Sequence, residues 1–189
     1  MGLKYYADIN DAAVTDLLRQ ANIKTNNHLM AFSDSSWKYC ADTGISTGAY
    51  IILYQGGQID HGTYVTGPAV QSSAESEYNA TCTVGMALAY FSLLINELLN
   101  KDTDIVPEEA LFIVLDSKSA ICMAKNGKDT KHTRHIARRM HFVRNGEKCK
   151  MQKNDWCEGG LQLSDIGNKN VSEPDLTPKM KYIMVRLEK

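Results

Sequence analysis

Four acidic residues stand where this chain could do chemistry: Asp34, Glu77, Asp116 and Asp165. Asp34 and Asp116 each close an apolar run that reads as a strand. Glu77 falls in the first turns of a long apolar helix, and Asp165 follows the last strand-like alternation. In an open α/β sheet, catalytic groups gather at the carboxyl ends of parallel strands, so Asp34 and Asp116 meet if their strands are neighbours. Carboxylates brought together raise one another's pKa or bind a cation. A donor set made only of oxygen selects hard divalent ions such as Mg²⁺. Two such ions about 3.5 to 4 Å apart can activate a water and stabilise the leaving oxygen of a phosphodiester. Metal-assisted phosphodiester hydrolysis is therefore the chemistry within reach, although a single aspartate at a strand end is more often a cap or a solvated turn residue.

The elements that must position these groups can be read from periodicity. With 189 residues, 43% of them hydrophobic, the chain fits one globular domain with its own core. Residues 12–21 read as a short amphipathic helix. Strands are expected over 28–34, 48–54 and 58–65, the last two joined at Gly56-Gly57. Ser72-Ser73-Ala74-Glu75 has capping-box spacing, with Ser72 as N-cap, and opens a helix reaching about residue 100. The continuous apolar run 110–115 reads as a buried parallel strand. A short helix is expected over 117–126, and a basic one over 131–144, closed by Asn145-Gly146. Residues 148–156 alternate as a last strand, and a final helix is expected over 178–187 with Pro178 in first position. This order describes a mixed sheet with helices on its faces.

Five cysteines without a repeated spacing indicate free thiols rather than a disulfide framework. The charge-free stretch 78–96 is long enough to cross a bilayer, but Asn79, Thr81, Thr83, Ser92 and Asn96 interrupt it. A buried central helix is expected there, and no membrane partner. The formal net charge of -1 conceals an asymmetry: from Lys125 to Lys153, ten basic side chains face only Asp129 and Glu147. One cationic segment on an acidic body is the footprint of a surface that follows phosphates, or of a solvated helix face.

Seven blocks carry a resemblance. They are Phe32-Ser33-Asp34-Ser35-Ser36-Trp37, Ser46-Thr47-Gly48-Ala49-Tyr50, Ser72-Ser73-Ala74-Glu75-Ser76-Glu77-Tyr78, Leu115-Asp116-Ser117-Lys118-Ser119-Ala120-Ile121, Thr133-Arg134-His135-Ile136, His141-Phe142-Val143-Arg144 and Ser164-Asp165-Ile166. In this order, they resemble the ribonuclease H domain of copia-type (Pseudoviridae) retrotransposon polyproteins. The resemblance implies an α/β, ribonuclease H-like fold: a five-stranded mixed sheet, its first three strands antiparallel, flanked by helices. It implies that Asp34, Glu77, Asp116 and Asp165 are the catalytic and metal-binding carboxylates, with Glu75 competing for the second place. Glu77 is preferred because it directly precedes the apolar Tyr78, while Glu75 sits where capping explains it. Two Mg²⁺ ions, replaceable by Mn²⁺, would support cleavage of the RNA strand of an RNA/DNA hybrid, leaving 5'-phosphate and 3'-hydroxyl ends.

On the same footing, residues 1–27 resemble the end of a polymerase connection, 28–170 the ribonuclease H domain and 171–189 a C-terminal tail or helix. The partners implied are the hybrid and the reverse transcriptase domain of the same polyprotein. The place implied is the cytoplasm, in a virus-like particle, with the nucleus as a second compartment. Ser72 and Ser73 fall where related enzymes set polar groups against the hybrid, and Lys125, Lys131, Arg134, His135, Arg138 and Arg139 would cover neighbouring phosphates.

The sequence departs from the family pattern in three places, the first being Ser36, where the family's first block has a second aspartate while Asp34 holds the catalytic place. The family's Asp-Ile-Leu-Thr-Lys reads Asp165-Ile166-Gly167-Asn168-Lys169 here. Cellular relatives carry a histidine shortly before the last aspartate; none lies between Phe142 and Asp165, so that role is absent or taken over by His132, His135 or His141. A catalytically silent nucleic-acid-binding module of the same fold is the alternative reading. A transposase or integrase core would need a final glutamate on the last helix. A serine or cysteine hydrolase would need a nucleophile elbow and is not expected.

Overall fold

The computed structural model describes residues 7–25, 29–37, 42–66, 70–99, 110–125 and 136–183. Five strands, β1 (Leu29–Ser36), β2 (Thr47–Tyr54), β3 (Gly57–Val65), β4 (Leu111–Leu115) and β5 (Gln152–Trp156), form one sheet in the order β3-β2-β1-β4-β5. The first three pair antiparallel, and β1, β4 and β5 pair parallel. This is the mixed sheet expected from the sequence. Among the described residues six α-helices accompany it: α1 (Ala7–Gln20), α2 (Ser73–Leu98), α3 (Lys118–Lys125), α4 (Ala137–Lys148), α5 (Asp165–Asn168) and α6 (Glu173–Ile183), with a 3-10 turn at Gly159–Leu161.

The pleat sends alternate side chains to opposite faces. From β1, Leu29 and Ala31 pack with Val84 and Leu88 of α2 and Ile121 of α3. Met30 and Phe32 pack on the other face with Val14 and Leu17 of α1 and Tyr182 of α6. Because β1 and β4 are covered on both faces, the first half of β1, residues 29–32, and all of β4 are continuously apolar rather than alternating. A third cluster, including Tyr78, Cys82, Met140 and Val143, joins α2 to α4, and the Tyr78 hydroxyl donates to the Met140 carbonyl at 3.1 Å. By length and composition α2 could cross a membrane, yet its first half is buried in these clusters. Cys82, Cys122, Cys149 and Cys157 are free thiols; Cys40 lies outside the described residues.

Several boundaries differ from expectation. The first helix is already formed at Ala7, the first described residue, rather than starting at residue 12. The basic helix begins its described course at Ala137 and runs through Asn145-Gly146 to Lys148. Gly146 does not end it: a Cβ there would stand 3.2 Å from the Gln152 Cβ, so this glycine permits close approach of α4 to β5. The helix stops where Lys150 takes a φ of 57° and donates to the Glu147 carbonyl, so β5 begins only at Gln152. The last helix starts at Glu173, five residues before Pro178. The Ser172 carbonyl accepts from Asp175 and Leu176, and Pro174 sits in the first turn, where an N–H has no intrahelical partner to lose. Of the expected helices, residues 126, 131–135 and 184–187 lie outside the described residues.

Candidate active site

The β1–β4 ladder ends at the pair Phe32–Val114. Asp34 and Asp116 each lie two residues further on, so both fall on the α1/α6 face of the sheet. Where the ladder stops, the fully buried Gln162 supplies its side-chain amide. It donates to the Ser33 carbonyl at 2.9 Å and to that of Val114 at 3.4 Å, which satisfies both buried acceptors and ties the two strand ends together. At the end of β5 the Trp156 indole N–H donates to the Asp116 carbonyl at 3.0 Å, with the Lys118 ammonium 4.2 Å from the ring centre.

Asp165 opens α5, which crosses close to β2 and β3. A Cβ on Gly167 would lie 2.7 Å from the Ala49 Cβ, and the Thr63 hydroxyl donates to the Gly167 carbonyl at 2.8 Å. The glycine that breaks the family pattern is thus what lets α5 approach the sheet. This approach completes a triad: Asp34, Asp116 and Asp165 each place a carboxylate oxygen within 4.8 Å of the others.

Glu77 comes from the opposite face and is not one of those three. Its Oε1 accepts the Ser35 N–H at 3.2 Å, and the hydroxyls of Ser35 and Ser76 are hydrogen-bonded beside it. Burial first, then the charges of Asp34 and Asp116, push the Glu77 carboxyl up to about 9. Burial and Asp34 also raise Asp116. Glu75 does something else. Its carboxylate accepts the Gln71 N–H at 3.0 Å and its own N–H donates to the Ser72 hydroxyl at 3.2 Å, so Ser72 caps the helix as expected, while Glu75 reaches back one residue beyond the N-cap and is engaged in the cap.

Two lysines enter the site that sequence reasoning did not single out. Lys169 Nζ lies 2.6 Å from Asp165 Oδ1, 3.0 Å from Asp34 Oδ2 and 3.8 Å from Asp116 Oδ2. Burial favours its neutral amine, but Asp165 and Asp34 outweigh burial and hold the ammonium above the ordinary lysine range. Lys179 Nζ lies 2.7 Å from Asp165 Oδ2 and also donates to the carbonyls of Gln162 at 2.7 Å and Gly159 at 3.3 Å. Lys169 had a legible signal, its i,i+4 spacing from Asp165. Lys179, brought in by a separate helix, had none.

Of the expected hybrid-contacting residues, Ser72 and Ser73 are exposed at the start of α2. Lys125 is exposed at the end of α3, and Arg138 and Arg139 are exposed on α4, as is His141. Lys131, Arg134, His135 and His132 lie outside the described residues. One Gly-x-Ser-x-Gly string occurs, from Gly44 to Gly48, but it is no nucleophile elbow. Ser46 is buried and leads into the antiparallel β2, where an elbow needs an exposed serine between a strand and a helix.

The donor set fits a divalent ion. It is all oxygen, and among the described residues Asp34 Oδ1 and Glu77 Oε2 are buried without a hydrogen-bond partner. Asp34, Asp116 and Asp165 could hold a metal ion, with Glu77 beside them.

No protein-family model and no curated protein matches this chain. Solved structures do. The N-terminal RNase H domain of rv2228c from Mycobacterium tuberculosis, determined as a fusion with maltose-binding protein, is similar over 81% of this chain and 96% of that chain, with a TM-score of 0.50 and 10% identity. RNase H1 from Halobacterium salinarum NRC-1 matches 72% of this chain and 89% of its own, with a TM-score of 0.49 and 15% identity. LC11-RNase H1 in complex with RNA/DNA hybrid matches 69% and 83%, with a TM-score of 0.48 and 10% identity. Strand order, strand direction and the first of these likenesses establish a ribonuclease H-like fold.

Proposed function

We propose that this chain is a metal-dependent endonuclease that hydrolyses the RNA strand of RNA/DNA hybrids. The observation that carries this reading is the convergence of Asp34, Asp116 and Asp165 at the carboxyl ends of two neighbouring parallel strands, with Glu77 reaching in from the other face. Asp34, Asp116, Asp165 and Glu77 would hold two Mg²⁺ ions, for which Mn²⁺ can substitute. When bound, such ions supply an activated water and stabilise the leaving 3' oxygen. The chain's own part is positional. Gln162 and the Trp156 indole fix the backbone beneath Asp34 and Asp116, and the capped start of α2 presents Glu77. Ser72, Ser73, Lys125, Arg138 and Arg139, with Lys131, Arg134 and His135 beyond the described residues, would follow the phosphates, so binding weakens steeply with salt.

The finer setting belongs to the same proposal. A copia-type retrotransposon origin, a reverse transcriptase domain as partner, a virus-like particle in the cytoplasm and the division at residues 27 and 170 rest on the ordered sequence blocks. The last segment contributes to the site through Lys179, whichever way the chain is divided. A silent binding module is favoured by one feature, the ammonium of Lys169 among the three aspartates.

The test is cleavage of a labelled RNA/DNA hybrid with Mg²⁺, beside RNA/RNA and DNA/DNA duplexes. The expected result is hybrid-only cutting that falls more than about 100-fold in Asp116→Asn, beyond the range for losing an outer-shell partner. Salt-sensitive hybrid binding without cutting would give the silent module instead.

A further inference from the structure

We infer that Lys169 is a built-in counter-cation of the carboxylate site, and that a divalent ion enters by displacing its ammonium. The inference rests on the metal-dependent reading above. Its geometric basis is that Lys169 touches one oxygen of each aspartate in the triad, at 2.6, 3.0 and 3.8 Å. These are the groups a shared metal would use, and one position between them cannot hold both cations.

Lys169 is built to leave and Lys179 is not. The Lys169 side chain is 39% exposed and stands just after the four-residue α5, followed by three residues outside any helix or strand. Its backbone is extended, with φ -120° and ψ 150°, so its side chain can swing to solvent without unwinding an element. Lys179 is 6% exposed, lies inside an eleven-residue helix and is bonded to two backbone carbonyls as well as to Asp165. When an ion arrives, Lys179 keeps Asp165 Oδ2 and Lys169 gives up Asp165 Oδ1.

The ammonium also leaves the site incomplete. Asp34 Oδ2 has Lys169 as an ion-pair contact but makes no aligned hydrogen bond, and Asp34 Oδ1 and Glu77 Oε2, both buried, have no hydrogen-bond partner among the described residues. A divalent ion can engage oxygens the lysine does not reach. Without metal, Lys169 offsets the repulsion among three clustered aspartates; with metal, it has to be outcompeted. Apparent metal affinity is therefore lower than the carboxylates alone would give.

The test is Mn²⁺ binding to the full chain, followed by calorimetry and by the electron paramagnetic resonance signal of free Mn²⁺, for wild type, Lys169→Met and Lys169→Arg. Exchange predicts that Lys169→Met binds Mn²⁺ about 10-fold more tightly or better, while Lys169→Arg, which keeps the charge, stays near wild type. Binding by Lys169→Met alone would overturn exchange, because the wild-type ammonium would then bar the ion rather than yield to it. Equal or weaker binding by Lys169→Met overturns the exchange but leaves the nuclease reading standing; no binding by any form overturns both. A second measurement needs no variant. Acetic anhydride labelling of wild-type Lys169, mapped by mass spectrometry, should rise several-fold when Mn²⁺ replaces EDTA, and unchanged labelling contradicts displacement.

Discussion

Glu77 and Asp165 stand at opposite ends of the same carboxylate site, and their surroundings are electrostatic opposites. Glu77 is buried on α2 with one backbone N–H for Oε1 and no hydrogen-bond partner for Oε2 among the described residues. Burial and two neighbouring aspartates drive it toward the protonated form. Asp165, on a short helix across the sheet, has one oxygen on Lys169 and the other on Lys179. One end is left short of positive charge and the other is supplied with it. The ion-accepting capacity of the site is therefore concentrated toward Asp34 and Glu77, while the Asp165 end is held together by the protein itself.

The largest break in this contrast should come from Lys179→Met, which keeps most of the apolar stem and removes the ammonium. The pair is almost fully enclosed, so its loss leaves the buried Asp165 Oδ2 and the Gln162 carbonyl without a donor, while Asp165 Oδ1 keeps Lys169 and the Gly159 carbonyl keeps the Gln162 N–H. Stability in EDTA at neutral pH is expected to fall by about 3 kcal/mol, read from urea denaturation. Adding Asp165→Asn should restore part of that loss, because the buried charge then balanced by Lys169 alone is gone. Lys169→Met, at a half-exposed pair, should cost less, about 1 kcal/mol or under. If the two lysine variants cost the same, the distinction between a fixed and a removable cation fails.

At the other end, Glu77 makes the metal-free protein sensitive to pH in a defined sense. Its folded value of about 9 lies above its ordinary value of 4.5, so between these limits the native state holds a proton that the unfolded chain has released. Stability in EDTA should therefore fall as pH rises from 5 to 8, with a slope of at most about 1.4 kcal/mol per unit from this group. The raised Asp116 acts in the same direction. Glu77→Gln should flatten the profile and exceed wild type in stability at pH 8, while lowering metal affinity. Parallel profiles for the two proteins would remove Glu77 as the source.

The sheet was legible because β1 and β4 are covered on both faces and carry unbroken apolar runs, and because the turn at Gly56-Gly57 punctuates a hairpin. The aspartate triad was legible for a related reason, since Asp34 and Asp116 mark the carboxyl ends of neighbouring parallel strands. What the sequence concealed depends on contacts between elements far apart in the chain. Gly146 reads locally as a terminator, yet serves the packing of α4 on β5. Pro178 reads as a helix start, while the first turn is organised by Ser172. Gln162 and Lys179 look like ordinary polar residues until the fold brings one to the β1–β4 ends and the other to Asp165.

The smallest expected effect sharpens the contrast from the Glu77 end. Ser72 caps α2 by accepting the Glu75 N–H, and the Glu75 carboxylate secures the Gln71 N–H in return, so the first turn is closed on both sides two residues before Glu77. Ser72→Ala removes one of these bonds at an exposed position and should cost about 1 kcal/mol. Its consequence for metal should be local. The Glu77 carboxylate hangs on the first turns of this helix, whereas Asp165 is fixed by α5 and Lys179 on the far side of the sheet. Mn²⁺ affinity should fall a few-fold, and acetic anhydride labelling of Lys179 should stay unchanged. A change in Lys179 protection would mean that the two ends of the site are mechanically coupled through β1 rather than set independently by their own helices.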